Sequence, residues 1–180
     1  MPAVTRQRLF LALRPPPAVQ ETLAKVARRA LHHQGRLLPP ENIHLTLCFL
    51  GALDAGQRVR VETAAGTIRG DAFDLTLDHF GHWPRPRVFW SAPAQTPESL
   101  YQLVGALQAA LRAEGISVEA RPFRAHVTLA RKVSQFAGPV GHPAVVWPAR
   151  DFCLMESQTL PQGARYRLIG SWSLSATGGE

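Results

Sequence analysis

The same succession of secondary-structure signals occurs twice along this chain of 180 residues. In each copy a short apolar segment, residues 8–13 or 87–92, is followed by prolines and an amphipathic stretch. A second apolar segment, residues 42–51 or 125–131, completes the copy. Short apolar segments predict strands and a 3.6-residue period predicts a helix, so each copy is expected to form a strand, helix, strand, strand unit. An internal duplication is the simplest explanation.

The remaining segments add further elements around the duplicated ones. Strands are predicted at residues 73–80, 151–155 and 166–172, a helix over residues 54–68, a long Gly- and Pro-containing loop over residues 132–148, and a frayed tail over residues 176–180.

These elements predict an α+β fold. Residues 1–180 are expected to form a single bilobal domain, since a chain of this length with 46% apolar residues can bury a substantial core. Two related lobes are expected, with hairpin-like strand pairs, helices on the outer face, and the second apolar segments of both copies near a shared cleft. Phe10 precedes His44 by 34 residues and Phe89 precedes His126 by 37, so each histidine falls at the same place in its copy.

The second strand of each copy carries a His-x-Thr-x motif, with His44 and Thr46 in the first and His126 and Thr128 in the second. The seven histidines, ten threonines and 46% apolar residues of the chain predict roughly 0.08 such motifs by chance. Side chains alternate along a strand, so each histidine shares a face with its threonine while the intervening residues point into the core. Each motif therefore offers one ionisable group and one hydroxyl to the same space.

Two histidines facing one space can act as an acid and a base, because an imidazole with an ordinary pKa of about 6.5 exists in both protonation states near neutral pH. A single strand histidine would more often be a partly buried residue with satisfied hydrogen bonds. A metal site is the other alternative, but no further ligands stand at a convincing spacing. The matched pair favours acid–base chemistry.

Charge is compatible with a polyanionic partner. Twenty basic residues against 13 acidic ones give a net charge of +7, and 18 of the basic residues are arginine. Arginine binds phosphate oxygens in pairs, although an arginine bias also follows from a GC-rich genome. Trp83, Phe89 and Trp90 offer rings for base stacking, but core packing is the expectation for at least two of them.

The cellular location is expected to be cytoplasmic. No apolar run approaches the roughly 18 residues of a membrane span, and the first residues lack the apolar stretch of a signal peptide. Cys48 and Cys153 are expected to be reduced and buried. A monomer is the default expectation.

The motifs and their surroundings resemble the two-histidine phosphoesterase superfamily, and in particular its bacterial and archaeal RNA 2′,3′-cyclic phosphodiesterases, first described as 2′-5′ RNA ligases. The similar segments are residues 8–13, residues 42–51 from Asn to Gly, residues 123–131 from Phe to Arg, and Glu156-Ser with Tyr166. The family commonly has proline before its second histidine, where this chain has Ala125. The resemblance covers nearly the whole chain.

This resemblance implies roles for individual residues: proton donor His44, proton acceptor His126, phosphate-binding Thr46 and Thr128, Arg131 beside the phosphate, and Phe10 near the substrate. It also implies a bilobal fold of two pseudo-symmetric lobes, each with an antiparallel β-sheet and outer helices, with an active-site cleft between them. The implied substrate is RNA or a nucleotide with a 2′,3′-cyclic phosphate, the implied product is a 2′-phosphate, and no metal or other cofactor is implied. A 2′-5′ phosphodiester, cleaved or formed in reverse, is an alternative substrate. A non-catalytic RNA-binding module is the alternative from another class.

Overall fold

The computed structural model describes residues 5–176. Its strands are β1 (Gln7–Leu13), β2 (Arg36–Leu37), β3 (Leu45–Leu53), β4 (Phe73–Trp83), β5 (Val88–Ala92), β6 (Val127–Arg131), β7 (Gly141–Ala149), β8 (Asp151–Leu160) and β9 (Gly163–Ser173). Its helices are α1 (Pro17–Leu31), α2 (Ala55–Thr67) and α3 (Glu98–Ala113), with a short 3-10 turn at Pro40–Asn42. The predicted order of strand, helix, strand and strand is confirmed in the first copy (β1, α1, β2, β3), whereas residues 114–126 of the second copy form no strand between α3 and β6. The helix over 54–68 and the α+β class are confirmed.

The strands form one antiparallel sheet in the order β7-β4-β5-β6-β3-β1-β8-β9. The short strand β2 lies outside this order and pairs with β6. Two four-stranded halves are visible in this order, β3-β1-β8-β9 and β6-β5-β4-β7. A single residue pair, Leu45 with Val127, joins β3 to β6. The two motif strands therefore meet at the centre of the sheet through their first residues, which directly follow His44 and His126.

Each duplicated helix packs against strands of the opposite half. α1, which follows β1, contacts β6 and β7, whereas α3, which follows β5, contacts β3. One cluster of buried apolar residues runs through both halves, from Leu11 on β1 to Phe89 on β5. The two copies of the duplicated unit thus share a core.

The long loop predicted over residues 132–148 is wrong in its second part, because residues 141–149 form β7 and pair with β4. Along β7, Val145, Trp147 and Ala149 are buried and Val146 is exposed, which is the alternation of a strand with one buried face. Pro143 and the proline at 148 are tolerated because β7 ends the strand order, so its outer edge needs no hydrogen-bond donors.

Phe10 and Phe89 do not occupy equivalent positions in the two copies. Thr46 pairs with Ala12 of β1, and Thr128 pairs with Trp90 of β5, so the equivalent positions are Ala12 and Trp90. Phe89 is 0% exposed in the main core. Phe10 lies in a separate small cluster beside the motif face. Counting residues between motifs does not reveal which face of a strand a side chain occupies.

Residues 5–176 contain no helix that is long and apolar enough to cross a membrane. The frayed tail predicted for residues 176–180 lies outside the described residues, apart from Ala176.

Candidate active site

Each motif strand contains a β-bulge directly after its threonine. In β3 the pairing with β1 passes from Thr46 to Cys48, leaving Leu47 without a partner. In β6 the pairing with β5 passes from Thr128 to Ala130, leaving Leu129 without one. A bulge inserts one residue into a strand and so reverses the alternation of side chains beyond it.

Because of the bulges, the residue three positions beyond each threonine lies on the motif side of the sheet. These residues are Phe49 in β3 and Arg131 in β6, and both line one cavity together with Thr46 and Thr128. Strict alternation would have placed them on the opposite face. Arg131 thus reaches the site because of backbone geometry that its distance from His126 in the sequence does not reveal.

Both histidines are fixed by the same backbone contact. The Nδ1–H of His44 donates to the carbonyl oxygen of Asn42 at 2.8 Å, and the Nδ1–H of His126 donates to that of Arg124, also at 2.8 Å. A carbonyl only accepts, so these bonds place the proton of each neutral imidazole on Nδ1. Nε2 is therefore the atom of each histidine that can exchange a proton with a bound molecule.

The His44 ring is held between two aromatic side chains and a hydroxyl. Phe10 lies 4.9 Å away between ring centroids, and Tyr166 packs at 4.9 Å with its plane at 81° to the imidazole. The Nε2 atom of His44 lies 3.1 Å from Oγ1 of Thr46. Only the family resemblance points to Tyr166, because nothing in its own segment indicates contact with His44.

The His126 ring is flanked by two tryptophans instead. Its centroid lies 4.7 Å from that of Trp83 and 6.4 Å from that of Trp90. Trp90 packs over Gly81 on β4, where any Cβ atom would collide with the indole. The expectation that at least two of Trp83, Phe89 and Trp90 are core residues is wrong, because only Phe89 is fully buried.

Burial lowers the pKa of both histidines. The pKa of His44 falls from 6.5 to about 4, first through burial and then through the positive charges of His126 and Arg131, while the hydrogen bond to Asn42 opposes the change. Burial also lowers the pKa of His126, and its hydrogen bond to Arg124 opposes that shift. Both imidazoles are neutral at neutral pH in the free protein.

The cavity has a volume of about 620 Å³, and its lining includes four arginines and one glutamate: Arg85, Arg121, Arg124, Arg131 and Glu119. Of the six residues predicted for the site, it brings together Thr46, His126, Thr128 and Arg131. His44 stands behind Thr46, to which it is hydrogen-bonded. Phe10 is 5% exposed and contacts His44 directly.

Two other predictions concern cysteine and metal. Cys48 and Cys153 are free and buried, and burial raises the pKa of each thiol to about 12, so both are protonated. Among residues 5–176, no three His, Cys, Asp or Glu side chains are grouped in a way that would hold one metal ion.

A family model described as LigT-like phosphoesterase matches the chain twice, over residues 13–90 and 91–166. The chain belongs to this family. Each match contains one His-x-Thr-x motif, so the two matches separate the two motifs, although each match begins within or at the end of the first strand of its copy. The boundary between the two matches falls within β5.

Members of this LigT-like family resemble the chain over most of its length. The RNA 2′,3′-cyclic phosphodiesterase of Escherichia coli K12 is 35% identical over 94% of this chain and 97% of its own. The protein of the same name from Thermus thermophilus is 30% identical over 96% of this chain and 93% of its own. The crystal structure of Escherichia coli LigT complexed with 3′-AMP superimposes with a TM-score of 0.87 at 32% identity, covering 94% of this chain and 99% of that one.

Proposed function

We propose that this protein hydrolyses RNA-terminal or nucleotide 2′,3′-cyclic phosphates to 2′-phosphates. The observation that carries the proposal is the matched pair of histidines, each with Nδ1 bound to a backbone carbonyl, so that Nε2 is the atom for proton transfer. In the free protein Nε2 of His44 accepts a hydrogen bond from the Thr46 hydroxyl at 3.1 Å. Relatives that match nearly the whole chain bear the name RNA 2′,3′-cyclic phosphodiesterase.

In the proposed reaction His126 acts as the base and His44 as the acid. Nε2 of His126 takes a proton from water, whose oxygen forms a new bond to phosphorus. The bond from phosphorus to the ribose 3′-oxygen breaks, and Nε2–H of His44 protonates that oxygen. The 2′-oxygen keeps its bond to phosphorus, so the product is a 2′-phosphate. General acid–base catalysis of this kind contributes about 10²–10⁴-fold to a rate.

Substrate binding would supply the charge that the acid needs. His44 is neutral in the free protein because its pKa is lowered to about 4. A phosphate anion bound beside it favours the protonated imidazole and raises this pKa. We therefore expect His44 to gain its proton as the cyclic phosphate binds, and the proton to be released to the leaving oxygen.

The other site residues are proposed to bind and position the substrate. The Thr46 and Thr128 hydroxyls and the Arg131 guanidinium line the cavity and would donate to the non-bridging phosphate oxygens. Phe10 packs on His44 and so would fix that ring next to the bound substrate. No metal or other cofactor enters this scheme.

The same proposal extends to organisation and location. We propose that residues 1–180 act as a single bilobal domain and as a monomer. A cytoplasmic location fits an RNA substrate and two reduced cysteines.

The test is an assay of purified, EDTA-treated protein on an oligonucleotide that ends in a 2′,3′-cyclic phosphate, with products identified by phosphorus NMR. A 2′-phosphate product is expected. Binding without turnover would contradict the proposal and favour the RNA-binding alternative. Turnover of a 2′-5′-linked oligonucleotide, but not of the cyclic phosphate, would instead favour the alternative substrate.

A further inference from the structure

Phe49 is an unusual residue for its position in the sheet. It lies in the middle of β3, yet 57% of it is exposed, while Cys48 and Leu50 on either side are buried. Among residues 5–176, the other seven phenylalanines are buried or half-buried. An exposed phenyl ring on a central strand adds little to the core, so its apolar face is available to a bound molecule.

The position of Phe49 corresponds to that of Arg131 in the other half. Each stands three residues beyond its motif threonine, after an equivalent bulge, and both line the cavity that contains Thr46 and Thr128. One copy of the duplicated unit therefore presents a cation at this position, and the other presents an aromatic ring. A substrate that fits both would carry a negative charge and a flat apolar group.

The cavity is large enough for such a substrate. Its volume of about 620 Å³ lies within the range of roughly 300–1,000 Å³ typical of sites for whole small molecules, and is more than a phosphate group alone requires. Every nucleobase has a flat aromatic face, whatever the RNA sequence. Proteins bind such faces by stacking them on Phe, Tyr or Trp side chains.

We infer that Phe49 is the stacking platform for the nucleobase attached to the cyclic phosphate, and so a specificity-determining residue for nucleotides over simpler cyclic phosphates. This inference rests on the proposed function. Arg131 holds the phosphate end of the substrate, and Phe49 holds the base end.

The test compares two substrates that differ only in the base: 2-aminopurine riboside 2′,3′-cyclic phosphate and methyl riboside 2,3-cyclic phosphate. In F49A, kcat/KM for the nucleotide should fall about 10-fold, mostly through KM, with little change for the baseless compound. F49W should retain activity on the nucleotide. V146A, which truncates an equally exposed strand residue outside the cavity, serves as the matched control and should behave like the wild type.

Binding of the non-reactive 2-aminopurine riboside 2′-phosphate gives a second measurement, because stacking quenches 2-aminopurine fluorescence. Wild type and F49W should quench it, and F49A should not. Equal losses of F49A on both substrates, unchanged activity of F49A on both, or no quenching by the wild type would each overturn the inference. If the wild type quenches and F49A does not, but neither cyclic phosphate is hydrolysed, the platform stands and the proposed reaction fails.

Discussion

The His44 and His126 sides of the site have the same backbone geometry but different surrounding side chains. His44 and His126 make the same hydrogen bond to the carbonyl two residues earlier, and each is followed by a bulge at the same distance. Around this common frame, Phe10 and Tyr166 hold one ring, and two tryptophans hold the other. The duplicated backbone sets where protons can be exchanged. The charges differ too, because His126 and Arg131 lower the pKa of His44, whereas only burial lowers that of His126.

The largest test of this comparison replaces each histidine in turn. His44→Ala and His126→Ala should each lower kcat by about 10²–10⁴-fold, because each removes one partner in proton transfer. His33→Ala, at an exposed position beyond α1, is the matched control and should leave kcat unchanged. Steady-state assays on a cyclic-phosphate substrate measure all three, with circular dichroism as the check on folding. Full activity in either site variant would refute its assigned role.

A second test gives the His126 side the packing residues of the His44 side. The pair Trp90 and Gly81 on the His126 side corresponds to Ala12 and Cys153 on the His44 side. Gly81→Cys should destabilise the fold by about 1–3 kcal/mol, because the new side chain collides with the indole. Adding Trp90→Ala should recover part of this loss, which urea denaturation would measure. The double variant could instead lose more free energy of unfolding than the two single variants lose together. In that case the two pairs would not be equivalent.

A third test uses the charge of Arg131, which lowers the pKa of His44 but is not among the causes of the shift at His126. Removing a positive charge favours the protonated imidazole, so Arg131→Gln should raise the pKa of His44 above about 4 and leave that of His126 nearly unchanged. Histidine resonances followed by NMR between about pH 3 and 8 measure both. His44 should titrate at lower pH than His126 in the wild type; the reverse order would contradict the asymmetry.

The smallest effect is expected far from both histidines. Asp54 caps α2 by accepting a hydrogen bond from the backbone N–H of Gln57 at 2.8 Å, and the Gln57 side chain accepts one in return from the Asp54 backbone. Asp54→Ala should lower the free energy of unfolding by about 1 kcal/mol and leave both histidine pKa values unchanged. Thermal unfolding and the same NMR titration test this; a shifted histidine pKa would show that α2 influences the site.

The sequence revealed the elements that depend on local pattern. The repeated strand, helix and strand follow from apolar periodicity. Strand alternation explains why Leu45 and Leu47, on either side of Thr46, are buried. The bulges could not be predicted, because Leu47 and Leu129 are ordinary strand residues and only the pairing shows them to be extra. β7 was missed because its prolines resemble a loop until its place at the sheet edge is known.

The aromatic surroundings of the histidines were missed for a related reason. Tyr166 belongs to β9 and Trp83 to β4, and each reaches its histidine across strands that are distant in sequence. Such contacts depend on sheet order, which no local pattern contains. Sequence could still indicate Trp90, since Gly81 leaves the space that a large ring on the neighbouring strand requires.

The crossing of the duplicated helices bears on how the chain unfolds. Since α1 packs on β6 and β7 while α3 packs on β3, a fragment ending at residue 90 would leave α1 without the strands it covers. Neither copy can lose its structure without exposing apolar surface on the other, so partial opening of one copy is costly. The duplication therefore yields one cooperative unit in thermal melting, in which the geometry around both histidines disappears in a single transition.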